Sequence, residues 1–175
     1  MNLQQTHFEL FGLPPTFALD TKKLDQQFRR LQSEVHPDRF AASADSERRL
    51  SLQYATQANE AYQTLKNPLT RARYLLQLKG IDTQEESNTA MPVEFLMQQM
   101  EWREALEEAT EAADTPALEA LQVQLRDAEK SLQATLTSAL DADSDDIVAT
   151  ETVRKLRFID RAQQEVDQAL EALES

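Results

Sequence analysis

From the amino terminus onward, the apolar positions of this chain fall into helical stripes divided by short polar breaks, and strand-like alternation is missing. Residues 6–11 predict a short helix that stops at Gly12, with Pro14 and Pro15 just beyond. Asp20 is placed to cap a second helix, in which Leu24, Phe28, Leu31 and Val35 recur on one face while Lys22, Gln26, Arg29, Arg30 and Ser33 share the other. Pro37 disfavours helical geometry at His36, so this helix ends there and a loop runs to about residue 43 or 45. A long helix follows, with Leu50, Tyr54, Ala58, Ala61 and Leu65 as its expected stripe. Asn67 and Pro68 read as cap and first position of a further short helix, whose Tyr74, Leu75 and Leu78 precede a stop at Gly80.

Residues 80–91 concentrate polar and acidic side chains and read as a linker. Beyond them the pattern predicts three long helices: about 92–113, about 116–140 capped by Thr115, and a last one that starts at Ser144 or Thr150 and ends near Leu173. Leu118, Leu121, Leu125, Leu132 and Leu136 form the core stripe of the middle helix, and Val153, Leu156, Ile159, Val166, Leu170 and Leu173 that of the last. Short connections make antiparallel neighbours, hence a three-helix bundle. The expected fold class is all-α, with a module over residues 1–79 and a bundle over 92–175.

Charge sharpens this division. Residues 1–76 carry 10 Lys and Arg against 8 Asp and Glu, whereas 77–175 carry 8 against 23, a net of −15. Such a surface repels a phosphate backbone, so no nucleic acid is expected as partner. The chain has no cysteine, which rules out disulfides, thiolate zinc and cysteine-held clusters within it. No apolar run approaches a membrane span and the opening residues lack a secretory pattern, so a cytoplasmic protein without membrane contact is expected. Asp141, Asp143 and Asp145 alternate as in a calcium loop, but Asp146 and Thr152 occupy the glycine and bidentate glutamate positions, so a charged connection is the reading. No phosphate-cradling glycine loop and no activated nucleophile is present; no catalytic residue, metal or cofactor is expected.

His36-Pro37-Asp38 between a basic-faced helix and a long partner helix is the first candidate site. Alone, the tripeptide is a weak signal, because a proline loop between helices needs no function. Together with "HFELFGLP", "EVHPDRF", "ATQANEAYQTL" and "NPLTRARYLL" it resembles a J domain, and "LFGLP" with "RARYLL" is similar to the HscB family of co-chaperones. The resemblance implies a chain that docks His36, Pro37 and Asp38 on a heat-shock ATPase of the HscA or DnaK class and stimulates it. Lys22, Arg29, Arg30 and Arg39 would supply the positive face. Val35 stands where J domains usually carry Tyr, and Arg39 where they carry Lys.

The second candidate comes from periodicity. On the helix at 92–113, Phe95, Trp102, Leu106, Ala109 and Ala113 share a narrow core face, while Leu96, Met97 and Met100 lie elsewhere, in one stripe with Glu101, Glu104 and Glu108. Exposed Leu and Met beside carboxylates suit a protein-binding surface; the alternative is a contact with the first module or a third helix. The HscB resemblance implies that these six residues and Phe158 bind an IscU-like iron-sulfur scaffold, with Phe158 near the edge of the last helix's core stripe. The expectation is therefore a monomeric adaptor for iron-sulfur protein maturation. The alternative is a general J-domain co-chaperone or a helical adaptor for another client; a generalist of the DnaJ type would carry a Gly/Phe-rich stretch and zinc cysteines, which this sequence lacks.

Overall fold

The computed structural model describes residues 2–87 and 90–175, and among these it contains seven α-helices and no strand. The chain divides into two compact units, residues 1–79 and 80–175.

In the first unit α1 (His7–Leu10) starts at a capping box: Thr6 Oγ1 accepts from Glu9 N, and the Glu9 carboxylate accepts from Thr6 N. Gly12 then takes a left-handed φ of +63°, and Leu13 N closes the turn on Phe8 O at 2.9 Å. Asp20 caps α2 (Thr21–Val35) by accepting from Lys22 N and Lys23 N, and a 3-10 turn over Pro37–Phe40 leads toward α3 (Asp45–Lys66). Asn67 caps α4 (Pro68–Leu78). Helices α1, α2 and α4 all pack on α3, whose buried stripe is Ser51, Tyr54, Ala58, Ala61 and Leu65. The stripe thus runs through Ser51, and the expected Leu50 is exposed. The buried residues 51, 54, 58, 61 and 65 follow one another at alternating steps of three and four, a heptad phase that Leu50 does not share. Leu78 is also exposed, and Leu76 is buried in its place beside Leu75.

In the second unit α5 (Val93–Glu111), α6 (Thr115–Leu136) and α7 (Asp146–Glu174) form the bundle. The pair α6 and α7 packs along its length, while α5 lies mainly on α6 and meets α7 at fewer points. Two ends differ from expectation. Asp114, not Thr115, caps α6, accepting from Ala117 N at 3.0 Å; Thr115 is already the first helical residue and Pro116 fills the second position, where no N–H is missed. Ala113, expected on the core face, is exposed in a left-handed conformation past the end of α5. After Leu136 the helix relaxes into a π-helical turn over Thr137–Ala142, with Asp143 N on Ser138 O at 2.8 Å. Asp145, one of the alternating aspartates, caps α7 by accepting from Val148 N. Leu173 is exposed near the end of α7, while Val153, Leu156, Ile159 and Val166 are buried.

The stretch from 80 to 87 belongs to this second unit and is tied to α7. Arg154 Nε donates to Thr83 O at 2.9 Å, and Arg157 pairs with the Glu86 carboxylate at 3.2 Å. Among the described residues no helix is long and apolar enough to cross a membrane.

Candidate partner-docking sites

In the first unit the candidate groups stand on the break between α2 and α3. Pro37 cannot continue α2, so the chain turns at His36 (φ −58°, ψ 134°) and re-enters a single 3-10 turn. His36 Nδ1 accepts from Asp38 N at 3.2 Å and lies 3.5 Å from Asp38 Oδ2. His36, Pro37 and Asp38 are all exposed, and this leaves the Asp38 carboxylate available to a partner.

One buried hydrogen bond and one more exposed cluster hold the break in place. Ser51 Oγ donates to Val35 O at 2.8 Å, satisfying one of the last carbonyls of α2 from across the hairpin. Further along, Tyr62 Oη donates to Asp25 Oδ1 at 2.7 Å and Lys66 Nζ lies 2.8 Å from the same oxygen, while Phe28 stacks on Tyr62 at 4.1 Å. The Lys66 ammonium and the Tyr62 hydroxyl hold the Asp25 carboxyl below its ordinary range. These pins fix α2 against α3, and with them the direction of its outward face.

That face carries Lys22, Arg29 and Arg30, and the 3-10 turn beyond it carries Arg39, all exposed. Arg29 and Arg39 share one shallow hollow with His36 and Pro37, walled also by Gln32, Ser33, Ala55 and Asn59. Arg30 lies outside it and pairs with Glu34 at 3.2 Å; Lys22 stands a full two turns away at the start of α2.

In the second unit the candidate groups stand on a regular helix. Leu96, Met97 and Met100 are 39%, 58% and 62% exposed, and Glu101, Glu104 and Glu108 are exposed beside them. On the opposite side Trp102 is only 8% exposed, in a core with Leu121, Leu125, Ile159 and Val166. Ala109 is buried and Phe95 and Leu106 are partly buried on the same side.

Phe158 belongs to both sides. Its ring stacks on Trp102 at 6.1 Å, meets Phe95 edge-on at 5.9 Å and is covered by the Arg103 guanidinium at 5.7 Å. It is therefore a partly buried member of an aromatic cluster, roofed by a cation, more than a projecting anchor. Sequence reasoning passed over Arg103 and Ser51. The signal for Arg103 was its place on α5, seven residues after Leu96; that for Ser51 was the heptad phase of Tyr54, Ala58, Ala61 and Leu65.

A family model described as the HSCB C-terminal oligomerisation domain matches residues 91–167. A co-chaperone protein HscB homolog of Burkholderia mallei is 51% identical over 174 residues, 99% of each chain. The chain belongs to the HscB family. Among solved structures, the HscB chaperone from Vibrio cholerae is 42% identical with a TM-score of 0.85, over 97% of this chain and 99% of that one. The human co-chaperone HscB is 30% identical with a TM-score of 0.89, over 96% of this chain and 83% of that one. The first unit of this HscB-family co-chaperone is accordingly a J domain and the second its helical carboxy-terminal domain.

Proposed function

We propose that this co-chaperone is an adaptor in iron-sulfur protein maturation: its J domain docks on an HscA/DnaK-class ATPase in the cytoplasm and stimulates it, and its bundle brings an IscU-like scaffold as client. The J-domain contacts are His36, Pro37 and Asp38, with Lys22, Arg29, Arg30 and Arg39 steering the encounter toward an acidic partner surface. The scaffold contacts are Leu96, Met97, Met100, Glu101, Glu104 and Glu108, with Phe158 at their edge. One observation carries this reading: Met97 and Met100 are more than half exposed in mid-helix, beside a row of carboxylates. A solvated helix face has no use for such side chains, while an adaptable apolar strip with acidic selectivity suits a basic-rimmed protein partner.

The test measures the ATPase rate of the cognate chaperone with this protein alone, with scaffold alone and with both. The expected result is modest stimulation by each and a more than additive rate with both. Purely additive rates would remove the adaptor role, and no stimulation by this protein at saturation would remove the J-domain role. The working unit is read as a single copy; light scattering of the free chain decides between that and the oligomer named in the family model's description.

A further inference from the structure

The carboxy-terminal unit, residues 80–175, has 7 Lys and Arg against 23 Asp and Glu. Four of those seven, Arg103, Arg154, Arg157 and Arg161, line a single cavity of about 370 Å³ walled by α5, α6 and α7. The apolar part of its wall comes from Trp102, Leu106, Leu121, Leu125 and Val166. Glu85 and Glu165 also reach it, so the ionisable lining stays net positive within a strongly acidic module. Guanidinium groups gathered around one hollow repel one another unless an anion is shared among them.

The chain itself supplies one anion. Glu86 Oε1 lies 3.2 Å from Arg157 Nη2 and 3.7 Å from Arg161 Nη2, and its side chain is largely exposed. Arg157 also approaches Asp160 at 3.9 Å, and among the described residues its buried Nε has no acceptor. These arginines therefore already take a carboxylate, hold it on an exposed segment, and keep donor capacity to spare.

We infer that this cavity is a binding site for a small organic anion with an apolar body, of the alkyl or aryl carboxylate class. The body would lie against Leu96, Leu106 and Phe158, the lining residues that keep accessible apolar surface, and the head would take the place of Glu86 on Arg157 and Arg161. The volume lies within the range of about 300–1,000 Å³ usual for small-molecule pockets, and an exposed ion pair such as Glu86 with Arg157 is weak enough to exchange. Leu96 and Phe158 touch the same cavity, so an occupant would compete with the scaffold proposed above; the inference itself does not rest on that reading.

Trp102 is the only tryptophan of the chain and lines the cavity, so its fluorescence reports occupancy in the full-length protein. Decanoate is the probe and decanol its neutral match. Decanoate should titrate Trp102 fluorescence to saturation at one site per chain, at least tenfold more tightly than decanol. Arg157→Gln with Arg161→Gln should weaken decanoate at least tenfold and leave decanol unchanged. Glu86→Gln, which removes the resident competitor, should tighten decanoate several-fold. Cooperative thermal melts show which variants remain folded, and if the double arginine variant does not, Glu86→Gln carries the decision. Equal affinity for decanoate and decanol, or a Glu86→Gln variant that binds decanoate no more tightly, overturns the inference. A wild-type protein that binds decanoate but, without decanoate, binds no scaffold would count against the adaptor reading alone.

Discussion

In the J domain the candidate docking groups stand on a break between helices, whereas in the carboxy-terminal unit they stand in the middle of one. The break is held by polar pins from outside itself: Ser51 on Val35 O, and Asp25 between Tyr62 and Lys66. The helix needs no such pins, because its inward face, with Trp102 and Ala109, already fixes which residues face out. Mutations at His36 or Asp38 are thus separated from stability by distance, while those on α5 are separated only by the angle around one helix axis. About 100° of rotation per residue divides Met100 from Glu101, and a little more divides a docking residue from a core one.

Two truncations test how sharp that angular division is. Trp102→Ala should give the largest effect, a loss of about 3–5 kcal/mol from the carboxy-terminal unit, as for a buried aromatic. Denaturant melts followed by circular dichroism measure it, and a loss under 1 kcal/mol would mean that α5 is not anchored through this face. Phe158→Ala should cost about 2 kcal/mol, less than a fully buried ring because part of it faces Arg103 and solvent. A position merely at the edge of the core stripe would cost little when truncated; the stack on Trp102 and the edge contact with Phe95 predict the larger loss. A scaffold affinity lost in Phe158→Ala therefore has to be corrected for the altered fold before it counts as a contact.

The same contrast explains what the sequence let one read. The break was legible because Pro37 and the two caps Asp20 and Asn67 act within a few residues of themselves. The outward Met stripe was legible because periodicity is a local rule. Leu50 misled because it too lies at helical spacing from Tyr54 and Ala58, and what turns Ser51 inward is the demand of Val35 O for a hydroxyl, a contact sixteen residues away. Phe158 was only half legible: its angle on α7 is local information, but the rings of Phe95 and Trp102 reach it through the packing of α5 on α7, a contact between residues more than fifty apart. The hold of Arg154, Arg157 and Arg161 on the stretch 83–86 spans about seventy residues and left no mark in composition, where that stretch reads simply as polar.

Within the J domain, Ser51→Ala should cost about 1–2 kcal/mol by leaving Val35 O buried without its donor. If the hydroxyl sets the direction of the break, the variant should also lose ATPase stimulation at concentrations where its fold is intact; unchanged stimulation would make Ser51 a purely structural pin. Asp25→Asn should have a smaller effect with a distinctive pH dependence. The folded carboxyl titrates below its unfolded range, held there by Lys66 first and Tyr62 second. Its contribution is therefore fully present above the unfolded carboxylate range and fades as pH falls through the lowered folded value. Melts of both proteins from neutral to acid pH should converge at the acid end, and a difference that persists there would assign the effect to packing.

The smallest expected change in stability is the one that most sharpens the comparison. Met97→Ala and Met100→Ala remove side chains that are 58% and 62% exposed, so each should alter the melt by less than about 0.5 kcal/mol. If the stripe is the scaffold contact, each should nevertheless weaken scaffold binding by about 1–2 kcal/mol in calorimetric titration, because a flexible thioether is desolvated only in the complex. Glu104→Ala should cost less affinity and lose its effect as salt rises, since an exposed carboxylate acts mainly on encounter. Basal ATPase stimulation should stay constant in all three, because His36, Pro37 and Asp38 are untouched. The inverse result, stability lost by more than 1 kcal/mol with scaffold affinity unchanged, would show that Met97 and Met100 serve a contact of the folded chain. Trp102→Ala and Met100→Ala then form the decisive pair: two residues apart on one helix, they should move stability and binding in complementary ways, and any variant that moves both together marks where the core face ends.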